Sequence, residues 1–583
     1  MDRNSTDKFF ESKVLGHPSG LFVLFFTEMW ERFSFYGMRA LLVMFFTASL
    51  LNDGWGWPRE HAMALFGSYV GLVYLSTMLG GYFADKIIGY RWAVVVGALL
   101  MTLGHGSMAL ESPFFIYLGL TFLVFGNGFF KPNMTSIISE MYKDRPEKKD
   151  GAYTIFYMGV NAGAFFGILL CGYLGEKIGW SYGFGLAGIF MLIGMLQFWF
   201  AQNIFGEIGL KPVKEDKNLN KILIDDDKKV PFTLWQLVLI FVMVVLGLMW
   251  IIFEPVALIS EGKFNVFNFQ LFGMEGNNAT ILIALVLFIV LLIYRFTQYS
   301  TITREKLIAV SFFAFLTIFF WALFEQAPGT LTIFARDYTN RMLEGSSGKI
   351  FQIVDALMTI IPLSVITWVL YLLFKQTFKK YSLSNLILAL SFVILWCIGI
   401  WKIYDQYQQE SLEVPASWFA TLNSLFIITL APLFSKWWES KYNPSANMKY
   451  GIGMILLAIG MGCVAFGAGG IEPGAKTASV SMIWLILVYL FHTMGELCIS
   501  PVGLSYVSKL VPARMIAFMF GVWYLAVAIG MKGAGKFGEN IDKIANEEGI
   551  SYFFWMLAIV SLVVAAISLV MSPVIKKLMH GVR

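Results

Sequence analysis

The sequence predicts an all-α membrane protein built as two six-helix bundles plus two extra transmembrane hairpins. Three observations carry that prediction. The 583 residues are 58% apolar and only 14% charged, with mean hydropathy +0.69, a balance that excludes a soluble enzyme. Apolar runs long enough to cross about 30 Å of hydrocarbon recur along the whole chain, roughly sixteen of them. A polar stretch at 202–230, including KPVKEDKNLNKILIDDDKK, is too charged to enter a bilayer and reads as a cytoplasmic linker between two halves.

In order along the chain, residues 1–20 carry Arg3, Lys8 and Lys13 and lack a short apolar core, so no cleavable leader is expected and the amino terminus is placed in the cytoplasm. Spans near 20–50, 62–86, 91–110, 113–140, 151–174 and 180–201 make the first bundle, 1–201. After the linker, spans near 232–259 and 277–295 form an extra hairpin within 231–300. A span at 305–336 opens the second bundle, within 301–340, and spans near 351–374 and 383–403 form an inserted hairpin within 341–412. Spans near 417–435, 449–467, 479–508, 514–534 and 552–573 complete the second bundle, 413–583. Alternation from an inside start puts Lys86/Arg91, Lys143/Arg145/Lys148/Lys149, the linker, Arg304/Lys306, Lys375/Lys379/Lys380, Lys436/Lys441 and Lys509/Arg514 on the cytoplasmic side, as positive loops should be. Both termini fall on that side.

The net charge of +5 sits mostly in these loops, so it sets orientation and does not suggest nucleic acid. Cys171, Cys397, Cys463 and Cys498 lie in or beside apolar runs without CxxC pairs or histidines at metal spacing. They read as buried packing residues, and no disulfide, metal or cofactor is expected. Glu254 and Asp355 fall near span ends on the external side, where interfacial solvation is cheap, and read as structural.

The first span is the exception to apolarity. Residues 27–39, TEMWERFSFYGMR, place Glu28, Glu31, Arg32 and Arg39 between the runs 21–26 and 40–46 with no loop signal between them. At 100° per residue Glu28, Glu31, Arg32, Phe35, Tyr36 and Arg39 share one stripe. Each mid-bilayer charge costs about 2.5–3.5 kcal/mol on the lenient insertion scale, so the stripe faces protein or a working cavity. One Glu–Arg pair would suffice to pin a helix; two carboxylates and two guanidiniums imply more.

Residues 80–91, GGYFADKIIGYR, supply glycines for close helix approach, Asp85 near a helix end, and Lys86 and Arg91. The stretch resembles the G-x-x-x-D-x-x-G-x-R loop of the major facilitator superfamily, with one extra residue. EMWERFSFYG in the first span resembles the E-x-x-E-R-F-x-Y-Y-G signature of the proton-dependent oligopeptide transporter family within that superfamily. Further matches follow in family order: GNGFFKPN with Lys131, FYMGVNAGAFFG with Asn161, FWALFEQ with Trp321 and Glu325, and GELCISPVGLSYVSKLVP with Glu496. The 341–412 hairpin is outside the resemblance, and Phe35 stands where the family has the first of two tyrosines.

The resemblance implies a major facilitator fold and a proton-coupled importer of di- and tripeptides working by alternating access. It implies proton coupling by Glu28, Glu31, Arg32 and Glu325. Substrate contacts are implied for Arg39, Phe35, Tyr36, Tyr74, Lys131, Asn161, Trp321, Asn423, Glu496 and Trp523. Gating is implied for Arg39 with Glu325 at the external side, Lys131 with Glu496 at the internal side, and Asp85 in the loop. Partners are then peptide, protons and the bilayer, with the chain a monomer; the short 467–479 connection points to a bacterial-type inner membrane. The residues themselves agree on polarity: mid-span cations Arg32, Arg39 and Lys131 belong to the first half, and the anions Glu325 and Glu496 to the second. A zwitterion matches both ends. Another small anion on the same fold, a receptor or an intramembrane enzyme are the alternatives. No nucleophile–base pair is evident, and His105 and His492 stand alone. Ser500-Pro501 is expected to break the helix carrying Glu496.

Overall fold

An unpaired backbone group in hydrocarbon costs several kcal/mol, and a helix satisfies nearly all of them within its own segment, so apolar runs of this length have one stable outcome. The computed structural model describes residues 12–211, 231–511 and 516–582. Its first half comprises α1 (Ser19–Thr47), α2 (Arg59–Phe83), α3 (Tyr90–Met108), α4 (Pro113–Met141), α5 (Lys149–Lys177) and α6 (Trp180–Ala201). A hairpin of α7 (Leu234–Ile259) and α8 (Gly276–Thr297) follows, then α9 (Thr301–Phe324), the short α10 (Thr332–Asp337), and a second hairpin of α11 (Gly345–Thr377) and α12 (Ser382–Gln408). The rest is α13 (Trp418–Glu439), α14 (Ala446–Gly467), α15 (Ile483–Leu510), α16 (Ile516–Glu539), α17 (Ile541–Glu547), α18 (Ile550–Val570) and α19 (Ser572–Leu578). Among the described residues 13 helices are long and apolar enough to cross a membrane by composition, and α1, α3 and α16 are further long helices. The protein is an integral membrane protein with the major facilitator type of architecture. Most of the linker expected at 202–230 lies outside the described residues.

Helix α1 is buried along nearly its whole length, because α5 presents Gly159, Gly163 and Gly167 to it. A Cβ on Gly159 would stand 3.0 Å from the Phe25 carbonyl, so the two backbones approach as only small residues permit. The halves meet along two seams, α2 on α16 and α5 on α13. In the first, a Cβ on Gly67 would lie 2.7 Å from the Cα of Gly535.

Two expectations need correction. The span at 305–336 is met by one membrane-length segment, Thr301–Asp337, that contains a wide turn: α9 ends at Phe324, the turn runs over Ala327–Leu331, and α10 resumes at Thr332. Pro328 has no N–H to continue the ladder, and the turn opens there. Conversely, α15 runs unbroken through Ser500-Pro501 to Leu510, since membrane helices re-satisfy the group a proline frees through local adjustment and neighbours. Of the cysteines only Cys171 and Cys498 are buried; Cys463 is half-buried and Cys397 exposed, on a hairpin helix with few neighbours.

Glu254 and Asp355 are also not left to interfacial water. Glu254, on α7, binds Lys532 Nζ at 2.7 Å and also Lys536, both on α16, while Lys532 donates to Ser68 Oγ of α2 at 2.8 Å. The first hairpin therefore straddles the α2–α16 seam. The second straddles the other: Asp355 on α11 pairs with Lys402 on α12 and accepts Trp418 Nε1 of α13 at 2.9 Å, and Asp405 on α12 accepts Tyr173 Oη of α5 at 2.5 Å. α12 also leans on the first half, with Ser384 Oγ donating to Gln197 O at 2.9 Å and Phe392 edge-on to Trp30.

Glu254→Gln strands the buried Lys532 charge and is expected to cost about 3–5 kcal/mol. Adding Lys532→Met should recover much of that loss, because Lys536 keeps Glu539 at 2.8 Å. Thermal unfolding of the purified wild type, single and double variants measures both, and equal losses in single and double would sink the pairing argument.

Candidate functional site

The stripe on α1 becomes the wall of an internal site because α2, α4 and α5 enclose it. Arg32 Nε lies 2.9 Å from Glu28 Oε1 and 2.5 Å from Glu31 Oε2, so one guanidinium holds two carboxylates. Asn127 Nδ2 of α4 donates to Glu31 Oε1 at 2.9 Å. The Phe35 ring lies between the two guanidiniums, 5.5 Å from Arg32 Cζ and 5.3 Å from Arg39 Cζ, and Arg39 also covers Tyr36 at 4.8 Å. The missing hydroxyl thus leaves an aromatic face that two cations use.

Across the site, Arg39 Nη1 donates to Glu325 Oε2 at 2.8 Å, joining α1 to the end of α9. Glu325 is the C-cap of α9, where the helix dipole disfavours an anion and Arg39 offsets it. Lys131 of α4 does not pair with Glu496: its ammonium lies over Tyr74 at 4.4 Å. Glu496 Oε2 accepts Asn423 Nδ2 of α13 at 3.0 Å, and that amide also reaches Thr493 Oγ1 at 3.1 Å. Among the described residues Glu496 has no cationic partner. The structure therefore joins one of the two expected cross-half pairs and parts the other.

The remaining expected residues are placed unevenly. Trp321 stands edge-on to Phe324 and against Gly530 of α16, and Trp523 packs into the notch at Gly503. Asn161 is buried but donates to Tyr157 O on its own helix at 2.9 Å. Asp85 is exposed in the turn Ala84–Ile88, away from the charge cluster. His105 is buried, and His492 stacks on Phe324 with ring centroids 6.1 Å apart.

Sequence reasoning missed a second cross-half cluster at the end of the cavity where α1 finishes. Arg59, at the start of α2, binds Asp337 at 2.8 Å, Asp542 at 2.9 Å and Tyr338 Oη at 3.1 Å. Arg336 binds Asp337 at 2.6 Å and Thr47 Oγ1 of α1 at 2.8 Å. Their signal was weak, since Arg59 and Asp542 look like ordinary loop charges. Asn127 lies within GNGFFKPN, one turn before Lys131, and its residue type alone gives it no role there.

The POT family model (PTR2) matches residues 91–402 and 403–552. The chain belongs to the POT family. A relative named peptide transporter YePEPT, from Yersinia enterocolitica subsp. palearctica, is 31% identical over 97% of this chain and 96% of its own. A di-/tripeptide transporter of Lactococcus lactis subsp. cremoris is 29% identical over 100% and 99%. Among solved structures, peptide transporter POT in complex with sulfate is 27% identical, covers 99% of each chain and superposes with TM-score 0.69. A POT family transporter in complex with 5-aminolevulinic acid is 25% identical, covers 98% and 99%, and has TM-score 0.69. The α1 stripe of this POT-family chain lies outside the segments matched by the family model but within the full-length alignment to the Lactococcus protein.

A double-mutant cycle separates the two cross-half contacts. Arg39 and Glu325 are both largely buried, so Arg39→Ala with Glu325→Ala should show a coupling of roughly 2 kcal/mol or more in detergent unfolding. Asp542 is more open, with 39% of its side chain exposed, so Arg59→Ala with Asp542→Ala should couple by about 0.2–1 kcal/mol. The reverse order would contradict the burial argument.

Proposed function

We propose that this POT-family protein is a proton-coupled symporter that imports di- and tripeptides by alternating access. It works as a monomer in a bacterial inner membrane with both termini cytoplasmic, and needs no cofactor beyond the proton gradient. The observation that carries the reading is the polarised site: Arg32, Arg39 and Lys131 from the first half face Glu325 and Glu496 from the second. A peptide carboxylate fits the cationic wall, and its ammonium fits Glu496, whose carboxylate is held by Asn423 without a counter-ion. A simple anion would leave Glu496 unused. The names of the Yersinia and Lactococcus relatives favour the same substrate class.

Proton coupling follows from the Glu28–Glu31–Arg32 cluster. Protonating either carboxylate removes one of the two anions that occupy Arg32 and frees its guanidinium for a substrate carboxylate. Arg39–Glu325 joined with Lys131 and Glu496 apart is one state of a bistable pair of gates. In the opposite state Lys131 meets Glu496 and Arg39 releases Glu325, with Asp85 acting at the loop between halves. Tyr36, Phe35, Tyr74, Asn161, Trp321 and Trp523 line the peptide site in this reading.

Competition against a labelled dipeptide in liposomes tests the polarity. Glu496→Gln should weaken a free dipeptide about tenfold or more, the loss expected when a charged hydrogen bond is removed, and leave its N-acetyl analogue nearly unchanged. Lys131→Ala should instead penalise the free carboxylate relative to the C-terminal amide. Equal losses for free and acetylated peptides in Glu496→Gln would place amine recognition elsewhere.

A further inference from the structure

We infer that Asn127 is the positioning residue through which α4 sets the proton exchange of Glu31. The inference rests on the proton-coupled reading above and deepens it. Glu31 is fully buried, and its two oxygens have different partners: Oε2 is held by Arg32 on the same helix, Oε1 by the Asn127 amide from α4. Among the described residues Asn127 is the one side chain from outside α1 with a hydrogen bond to Glu28, Glu31 or Arg32. The other titratable groups set against Glu31 are Glu28 and Arg32 on α1, Lys131 on α4 and Tyr69 on α2. α6 carries no charged side chain, and those of α5, Lys149, Asp150, Glu176 and Lys177, lie at its two ends.

An amide suits this position because it can serve both protonation states. A carboxylate needs donors, and Nδ2–H supplies one. A carboxylic acid must place its own O–H on an acceptor, and Asn127 Oδ1 is buried beside it without a hydrogen bond. When a proton binds Oε1 of Glu31, a half-turn of the amide brings Oδ1 to the new O–H in place of Nδ2–H, and Oε2, now a neutral carbonyl oxygen, holds Arg32 more weakly. Loss of the proton reverses each step. A hydrophobic residue would leave the acid without an acceptor, and an aspartate would set a second anion against the first.

The placement also ties this exchange to the gate. Asn127 precedes Lys131 by one helical turn, on the same face of α4, and Pro132 follows directly inside the helix, where the backbone ladder lacks a donor. A movement of this segment that carries Lys131 toward Glu496 displaces Asn127 from Glu31. Glu31 then loses a donor that favours its ionised form at the moment the gate changes.

The test uses the full chain reconstituted in liposomes, with labelled dipeptide uptake driven by a pH gradient at a series of external pH values and counterflow at equal pH as control. Asn127→Leu removes both the donor to the carboxylate and the acceptor for the acid; the charge-assisted bond is the stronger loss, so protonation becomes easier and the uptake midpoint should move up by roughly one pH unit, with a lower maximal rate and counterflow retained. Asn127→Asp, the same shape with a negative charge, should move it up further. Asn127→Gln, which keeps an amide, should return the midpoint toward the wild type. Unchanged midpoints in the Leu and Asp variants, while Glu31→Gln abolishes gradient-driven uptake, would overturn the inference and leave the proton reading standing. Gradient-driven uptake that survives in Glu31→Gln would overturn the proton reading itself. Loss of counterflow in the Leu and Asp variants would overturn the inference by assigning the residue to binding or folding.

Discussion

An ion at the centre of a hydrocarbon layer costs at least about 2.5–3.5 kcal/mol, and this chain places several there, so the architecture depends on where each finds its counter-charge. Arg32 satisfies two carboxylates on its own helix, and Arg39 reaches Glu325 in the other half. Such pairs add little net stability compared with apolar packing, but removing one partner is expensive. That asymmetry suits a machine with two arrangements. A contact that is nearly neutral overall, yet costly to leave half-made, favours whichever state completes it.

The unpaired members are as informative as the paired ones. Glu496 is held by a neutral amide and Lys131 by the face of Tyr74, so each keeps its charge available while being partly satisfied. Arg39 and Glu325, which the same reasoning would leave available, are joined. The site is thus closed at the end where α1 finishes, reinforced by Arg59 and Arg336 on Asp337, and held differently at its centre.

The two extra hairpins follow a common plan despite unrelated positions in the chain. Each leans on the first half and sends a carboxylate into a seam between halves, Glu254 to Lys532 at α2–α16 and Asp405 to Tyr173 at α5–α13. Asp355 adds a link from the second hairpin to Trp418 of α13. Elements that are largely exposed elsewhere are therefore anchored at the surfaces that must slide if the halves rock. Their outward faces remain apolar, as lipid contact requires.

The amino-acid sequence by itself determined the class, the long helices and the charged stripe, because hydropathy over a membrane thickness and a 100° helical period are local properties. It also displayed the polarity of the site, since cations and anions fall on different halves of the chain. The tertiary structure alone decided partners: that Arg39 is joined while Lys131 is free of Glu496, that Arg59 closes the same end, that Asn127 meets Glu31, and that Glu254 and Asp355 are buried in ion pairs. Those contacts link residues 47 to 483 positions apart, and no local pattern encodes a separation of that kind. The wide turn at Pro328 and the continuity through Pro501 were not legible for the same reason. Whether a proline disturbs a membrane helix depends on how the neighbouring helices and local adjustment re-satisfy the backbone group it frees.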